Sequence, residues 1–577
     1  MITIYENHSE DKVQGKVDEK GVPTKAKEDP EVEKEQGSDA TGMSSYMARF
    51  IKAYEEKKEK EVGSGEAKIQ VSEVLGGLAR LYERIRTTVE YKGEHVLRRN
   101  AIERILKRLI WEQENVRSDV NYKRVSETLI KELIWARYLP NNSIPKSKGE
   151  ELEKIIKKYV YFLKNLDNLQ NGESLTKVRA FMWGVASSEI EDYLDPSYRE
   201  LYVRLMYDWF TDHFNWIDSS PGEHEKEIQI YLAIHRAFPK SDESIMRYHL
   251  LLKEFPGWKD ADMSEVNRII LQFPSIYSEI ESHLTFPGRF SLYRKVQKHA
   301  AAFDVLHEIV KQKSKDILAS FSDQNTFEEK VREVCQAKYR QIRQRVSTGI
   351  VRSIIYIFVT KVFIAILIEI PYEIFVFEEI RYLPLSLNVI IPPAMMWMIG
   401  FSIRVPGAKN TETIVERLKS VVYEKEEEVK IKLSILKLGK NSTLATFFAV
   451  IYSIIFVFVF GSLTYLLTLI NFTFLGILVF FGFLSLVVLF AFRVRYNANQ
   501  MKVDSDSEGL GGHLTSYLML PFLNFGVYLS KGLSKINFLT VLLDFLIEVP
   551  LKNMIEIFEE WTSFLREKKE EVVEMPE

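Results

Sequence analysis

The sequence predicts an all-α protein with four parts: a disordered charged N-terminal tail, a cytoplasmic helical bundle, a four-span membrane region and C-terminal amphipathic helices. Three observations predict this fold. Apolar residues recur at helical spacing in the first half of the chain, and long apolar segments follow in the second half. No sustained alternation typical of strands occurs in residues 66–345. The 577 residues are enough for about two to four domains.

Composition excludes several classes of protein. The formal net charge of −3 disfavours a strongly basic nucleic-acid binder, so no nucleic-acid partner is expected. The chain has one cysteine, Cys335, which cannot form an internal disulfide or a cysteine-based zinc site.

Residues 1–65 are predicted to be a disordered tail, because they are rich in Glu and Lys and carry few aromatic residues. They contain no early apolar run, so no cleavable signal peptide is expected. One segment, residues 44–60, interrupts the tail with apolar residues at helical spacing. These are Met47, Phe50, Ile51 and Tyr54. Two interpretations are open: a transient helix within the tail, or a short helix that docks in the groove of a partner protein.

Residues 66–345 are predicted to form a cytoplasmic all-α domain, since apolar positions recur every three or four residues in successive segments. The segments begin at Val71 and continue through Val96–Ile110, Val125–Leu139, Leu152–Leu166, Leu175–Leu194 and Tyr198–Phe214. Four Phe-Pro pairs follow, and each proline is expected to end a helix. The pairs are Phe238-Pro239, Phe255-Pro256, Phe273-Pro274 and Phe286-Pro287. Their spacing leaves a helical repeat and an irregular bundle as alternatives.

Signals for catalysis and for cofactor or metal binding are weak. No P-loop, dinucleotide-binding, zinc-protease or nucleophile-elbow motif occurs, so we expect no catalytic site and no cofactor. His299, Asp304 and His307 lie on one predicted helix and could hold a metal ion, but three residues on a single helix favour solvated or hydrogen-bonded side chains. A second polar group is expected to lie at the edge of the core; it consists of Asp208, Asp212 and His213.

Four segments are long and apolar enough to cross a bilayer of roughly 30 Å. They are residues 350–370, 385–403, 444–469 and 472–492. Arginines and lysines precede the first segment and follow the second and the fourth, which are positions on the same side of the membrane. The positive-inside rule therefore places both termini and the loop 404–443 in the cytoplasm. We therefore expect a multi-pass protein of the cell membrane, either plasma or bacterial inner membrane. Within the loop, apolar and polar residues alternate over Val429–Ile435, which is typical of a strand or of a lysine-bearing surface segment.

The first two segments contain the candidate polar site of the membrane region. Its residues are Lys361, Glu369, Glu373, Asn388, Pro392 and Pro393. Lys361 could extend its ammonium to the headgroups, or it could pair with Glu369 or Glu373 in a polar cavity. A separation of about 12 Å along a helix disfavours a direct pair with Glu369. The two prolines are expected to break the second span and to free backbone carbonyls, which would permit an ion or solute path.

The C-terminal region, residues 513–571, is predicted to form interfacial and amphipathic helices, followed by an acidic tail at 572–577. Prolines, glycines and lysines divide residues 514–550 into pieces too short to span, so we expect this region to lie in the interface or against other helices. The helix that begins at Leu551 has an acidic polar face, so we expect it to pack on protein rather than on anionic lipid.

The leading hypothesis is a membrane-anchored scaffold that recruits protein partners through residues 1–345. The alternative is a transporter or channel component that uses the polar first span and the proline-broken second span. A membrane enzyme is the third and weakest hypothesis, because the spans contain no catalytic dyad or metal cluster.

Overall fold

The computed structural model describes most of the chain, with several gaps. The described residues are 42–61, 66–71, 94–116, 120–166, 173–196, 198–216, 221–312, 321, 323–423, 431–433, 443–503, 510–535, 557, 561, 564–565 and 568–569. The predicted all-α fold is confirmed over these residues. The α-helices, in chain order, are α1 Ser45–Glu61, α2 Glu94–Val116, α3 Tyr122–Trp135, α4 Lys148–Leu166, α5 Glu173–Leu194, α6 Arg199–His213, α7 Glu223–Ala237, α8 Glu243–Glu254, α9 Met263–Leu284, α10 Arg289–Gln312, α11 Gln324–Ile364, α12 Ile370–Phe377, α13 Tyr382–Ser402, α14 Ala408–Val422, α15 Thr443–Leu469, α16 Phe474–Ala498 and α17 Leu510–Lys535.

Two short strands accompany the helices. Strand β1, Phe214–Trp216, pairs in parallel with strand β2, Ile431–Leu433. Strand β2 lies within the alternating segment 429–435. The sequence did not indicate β1, because three residues are too few to establish a strand period.

Helices α1 to α10 and the first half of α11 form a polar helical domain with three apolar clusters. One cluster joins α2, α3, α4 and α5, and the second joins α4, α5, α7, α8 and α9. The third joins α1, α6, α7, α10, α11 and α14. The predicted helix that begins at Val71 lies mostly outside the described residues.

Residues 42–61 are not part of a disordered tail, which corrects the prediction for 1–65. Helix α1 packs against α6 and α14, and Met47 and Phe50 are buried. The Phe50 ring lies 4.7 Å from the Tyr202 ring, centroid to centroid. At the start of the helix, the Ser44 amide donates to the Val422 carbonyl at 2.7 Å. The chain itself therefore supplies the groove into which this helix docks. Residues 1–41 lie outside the described residues.

The expectation that each Phe-Pro proline ends a helix is wrong for Pro274. It lies inside α9, whereas Pro239, Pro256 and Pro287 all follow helix ends. Phe273 is fully buried, so burial of its ring offsets the missing Pro274 hydrogen bond and keeps the helix continuous.

Among the described residues, four helical segments are long and apolar enough to cross a membrane, which is compatible with a membrane protein. They are Gln324–Phe377, Tyr382–Ser402, Thr446–Leu469 and Phe474–Ala498. The first is 54 residues long. It contains α11, a π-helical turn and α12, and its first half lies in the polar helical domain.

The second of these segments is not broken, which corrects the predicted interruption at Pro392 and Pro393. Both prolines are buried inside the continuous helix α13. Neighbouring helices hold α13 in place: Gly400 packs so closely on Ile350 of α11 that a Cβ at Gly400 would lie 2.8 Å from Ile350 Cγ2. Such packing tolerates proline within an apolar helix.

Residues 514–550 are not divided into short pieces throughout, because α17 continues through Pro521 and Gly526. This helix packs along α16 and contacts α15. Of the two alternatives for this region, these contacts favour the position against other helices. The predicted amphipathic helix from Leu551 and the cytoplasmic C-terminus stay predictions, since few residues beyond Lys535 are described and residues 572–577 lie outside the described residues.

We expect Gly526→Val to destabilise the contact between α16 and α17 by about 1–3 kcal/mol, as overpacking does in cores. A Cβ at Gly526 would lie 2.5 Å from the Ser485 backbone oxygen, which cannot move away without separating the helices. Thermal unfolding of the detergent-purified chain measures the effect. Gly461→Val is the matched control, because a Cβ at Gly461 would meet no atom within 4 Å. Equal unfolding temperatures for both variants would contradict the close packing.

Candidate functional site in the apolar helices

Lys361 is fully buried and forms an ion pair with Glu369. The Lys361 Nζ donates to Glu369 Oε1 at 2.5 Å, and both side chains are at least nine-tenths buried. The expectation that this direct pair is too distant was wrong, and so was the alternative in which Lys361 extends toward the headgroups. The ammonium also lies 5.0 Å from the centre of the Phe483 ring on α16.

The local helix geometry explains the pair. Residues Ala365–Glu369 form a π-helical turn between α11 and α12. A π-turn packs more residues into each turn than an α-helix, so it shortens the axial separation and rotates Glu369 relative to Lys361. The long lysine and glutamate side chains span the remaining distance. An α-helical estimate of about 12 Å therefore overstated the separation.

Asn388 joins the pair from α13. Its Nδ2 donates to Glu369 Oε2 at 2.8 Å and lies 3.3 Å from the Gly476 carbonyl oxygen of α16. Two helices, α11 and α13, thus donate to one carboxylate, and α16 contacts the Asn388 donor. Asn388 Oδ1 is buried without a protein hydrogen-bond partner, so the network has an acceptor available for a proton donor, water or ligand.

Glu373 is buried but belongs to a separate arrangement. Its Oε2 accepts from the Arg381 backbone amide at 2.9 Å, and Arg381 Nη1 donates to the Asn471 carbonyl at 3.1 Å. Between them, Glu378 ends α12 in the left-handed conformation. Glu373 therefore stabilises the chain reversal between α12 and α13 and ties it to the turn between α15 and α16.

Pro392 and Pro393 lie one turn after Asn388 in α13 and form no break. Because Pro392 has no N–H, the Asn388 carbonyl lacks its usual helical donor. The structure therefore brings Lys361, Glu369 and Asn388 together. Glu373 lies apart from them, at the neighbouring turn between α12 and α13. The two prolines lie in the same continuous helix as Asn388.

The polar network is asymmetric along the helices. One turn before Lys361, on the side of the polar helical domain, an apolar cluster closes the space between α11, α13 and α16. It consists of Ile357, Met396, Phe483, Val487 and Ala491. In the other direction along the helices lie the Asn388–Glu369 hydrogen bond and then the two turns that are joined by Arg381 and the Asn471 carbonyl. Apolar side chains therefore border the ion pair on the side of the polar helical domain.

The histidines predicted on α10 do not converge on a shared ligand. His299 packs against the rings of Trp209 and Phe210, and burial lowers its pKa to about 3. His307 packs on Tyr202, while Asp304 forms an ion pair with Lys338 at 2.6 Å. These contacts support the structural interpretation of the three residues.

The acidic group on α6 holds the N-terminal helix. Asp212 is exposed rather than at a buried edge, and it accepts a hydrogen bond from the Tyr46 hydroxyl at 2.5 Å. Asp208 Oδ2 lies 3.7 Å from Arg49 Nη2 of α1. The ring nitrogen Nδ1 of His213 lies 2.8 Å from the Trp209 carbonyl oxygen.

Comparison of the chain with known protein families, with curated proteins and with solved structures found no match.

Proposed function

We propose that the chain is an integral membrane scaffold, in which the polar helical domain is a rigid cytoplasmic platform that binds protein partners beside the bilayer. One observation carries this proposal: the helix that enters the apolar region is the same helix that builds the polar domain. Helix α11 contributes Phe327, Val331 and Val334 to the third apolar cluster and then continues through Lys361 without interruption.

A second connection supports a rigid platform. Helix α14, from the loop between the second and third apolar helices, buries Ile414 and Leu418 in the same cluster. Asn410, near its start, donates to the Tyr339 hydroxyl and to the Met501 carbonyl at 2.8 and 2.7 Å. The polar domain is thereby attached to α11, α14 and the end of α16, and cannot swing freely on a single linker.

The proposed orientation follows from charge. Basic residues at the start of the first apolar segment and after α13 and α16 favour the cytoplasmic side for the polar domain and the loop 404–443. A plasma membrane or bacterial inner membrane is the proposed location.

Two exposed apolar side chains mark where a partner would bind. Trp111 on α2 is 65% exposed and Leu271 on α9 is 72% exposed. Tryptophan is frequent among the residues that dominate binding energy at protein interfaces, so these two positions are the ones to test first.

We expect Trp111→Ala and Leu271→Ala to reduce the yield of crosslinked partner proteins by about tenfold or more, the loss typical of a dominant interface residue. Neither change removes a buried contact, so the chain should stay folded. Crosslinking in native membranes, followed by quantification of the proteins joined to the purified chain, measures the effect.

The matched control is Phe458→Ala on α15, a side chain that is 67% exposed in the apolar region. It should leave the crosslinked partners unchanged. If the parent chain captures no protein above an unrelated membrane protein at equal expression, or if all three variants behave alike, the scaffold proposal is contradicted.

Proton- or ion-coupled transport is a second candidate, favoured by the buried Lys361–Glu369–Asn388 network. Ionisable residues within apolar helices are expensive and often serve ion or proton pathways. π-Helical turns, such as Ala365–Glu369 here, are frequent at functional sites.

For this candidate we expect the double variant Lys361→Met/Glu369→Leu to abolish proton flux in reconstituted vesicles, because it removes both titratable groups while preserving volume. A pH-sensitive dye inside the vesicles measures the flux. Glu373→Gln is the matched control, since Glu373 lies outside the ion pair and should leave the flux intact. Undiminished flux in the double variant, or no flux in the parent chain, would exclude the candidate.

A further inference from the structure

Three helices of the polar domain bring two imidazoles and a carboxylate to one point. Glu200 lies in the first turn of α6, His235 in the last turn of α7 and His249 within α8. One ligand atom from each residue lies within 4.8 Å of those of the other two. The Glu200 Oε2 is 3.6 Å from His235 Nε2 and 3.8 Å from His249 Nε2.

Neighbouring groups orient two of these side chains toward the shared point. The Tyr231 hydroxyl donates to Glu200 Oε1 at 3.0 Å, which leaves Oε2 directed at the imidazoles. Ser241 Oγ lies 3.2 Å from His235 Nδ1. When Nδ1–H donates to that hydroxyl, the Nε2 lone pair points at Glu200 and His249. Such outer hydrogen bonds are characteristic of metal-binding histidines and carboxylates.

His235 differs from an ordinary buried histidine, whose ring nitrogens are hydrogen-bonded. Its side chain is 2% exposed, and Nε2 is buried without a hydrogen-bond partner. The unpartnered Nε2 of His235 is therefore available to a ligand at the shared point. A further imidazole, His95, is also buried with an unpartnered Nε2.

The distances suit a small cation. Zinc bonds of about 2.0–2.2 Å to nitrogen and oxygen place the ligand atoms of a tetrahedral site roughly 3.4 Å apart. The distances of 3.6 and 3.8 Å from Glu200 Oε2 to the two Nε2 atoms approach that value, and the ligand nitrogens of the two imidazoles lie within 4.8 Å of each other, so side-chain rotation would have to bring them closer around an ion. Glu200 and His249 remain partly exposed, and they provide an entry path from solvent.

We propose that Glu200, His235 and His249 bind one divalent transition-metal ion of the Zn²⁺ class. Two imidazoles and one carboxylate form a donor set typical of zinc, with a fourth position open for water or another ligand. The ion would link α6, α7 and α8, so its binding would stabilise the polar domain.

The sequence did not indicate this site. The three ligands are dispersed over residues 200–249 with no motif spacing, whereas the pair on α10 drew attention because it shares one helix. Only the packing of α6 against α7, and the turn from α7 into α8, brings the ligands together.

The test measures Zn²⁺ binding to the full chain, purified in detergent and stripped with a chelator. We expect one high-affinity equivalent, detected by competition with a chromophoric chelator, and a rise in thermal unfolding temperature when Zn²⁺ is added. Glu200→Gln and His249→Gln should each lower the affinity by at least about 100-fold and abolish the stabilisation. Both residues are partly exposed, and these variants keep polar side chains of similar length, so the domain should fold.

His224→Gln is the matched control, because His224 is an exposed histidine on the same helix as His235. It should leave Zn²⁺ affinity unchanged. Co²⁺ supplies an independent readout, since a tetrahedral nitrogen and oxygen site gives a visible absorption that should disappear in His249→Gln. The proposal is overturned if the parent chain binds no high-affinity Zn²⁺, if Glu200→Gln and His249→Gln bind like the parent, or if His224→Gln loses the ion.

Discussion

Replacing Glu369 with leucine should destabilise the protein by about 3–5 kcal/mol, the usual cost of leaving one member of a buried ion pair without its partner. Lys361 has 0% exposed surface, and its ammonium donates to Glu369 at 2.5 Å. In Glu369→Leu the ammonium would have no counter-ion among apolar helices. Lys361→Met should also destabilise the protein, because the buried Glu369 carboxyl would then keep only Asn388 as a donor.

The double variant Lys361→Met/Glu369→Leu separates this explanation from a simple loss of packing. With both charges absent, most of the stability should return, since apolar replacements of buried ion pairs are often neutral or stabilising. Thermal unfolding of the detergent-purified chain, followed by size-exclusion chromatography, measures all three variants. If the double variant is as unstable as the sum of the single variants, the two residues do not act as a pair.

Phe50→Ala should destabilise the polar domain by about 3–5 kcal/mol, the range observed for phenylalanine truncation in cores. Phe50 is 4% exposed and packs on Tyr202 between α1 and α6. The change leaves a cavity that the short helix α1 cannot fill without moving away from α14. We also expect residues 45–61 to be cleaved faster in limited proteolysis than in the parent chain.

Unfolding monitored by the heat-induced loss of the monodisperse peak measures the stability, and mass spectrometry of the early fragments locates the cleavage. Lys52→Ala is the control, because Lys52 lies on the exposed face of the same helix. Resistance of Phe50→Ala to both treatments would mean that α1 contributes little to the third apolar cluster.

The apolar helices were predictable because a bilayer-length run of apolar residues is a local property of the sequence. Segments 444–469 and 472–492 correspond closely to α15 and α16, and the helical spacing of Met47, Phe50, Ile51 and Tyr54 correctly indicated a helix at α1. The partner of that helix was not predictable, because the apolar surfaces of α6 and α14 that cover it lie far away in the sequence.

The polar site was predictable only in part. Lys361, Glu369 and Asn388 were identifiable because charged and amide side chains are rare and expensive among apolar residues. The hydrogen bonds that join these three side chains were not predictable. They depend on the π-helical turn Ala365–Glu369, which has no recognisable sequence pattern, and on the packing of α13 beside it. Glu373 was equally conspicuous in the sequence, yet it stabilises a turn instead.

Periodicity and composition act over one or two helical turns, so they were enough to predict the helices, the positions of the apolar helices and the unusual polar residues within them. The packing of α1 in the core, the Lys361–Glu369 pair, the continuity of α13 and α17 at their prolines and the meeting of Glu200, His235 and His249 became visible only in the folded chain. Each of these depends on contacts between segments distant in the chain, where burial of apolar surface and pairing of charges outweigh the local preferences of proline and of the isolated helix.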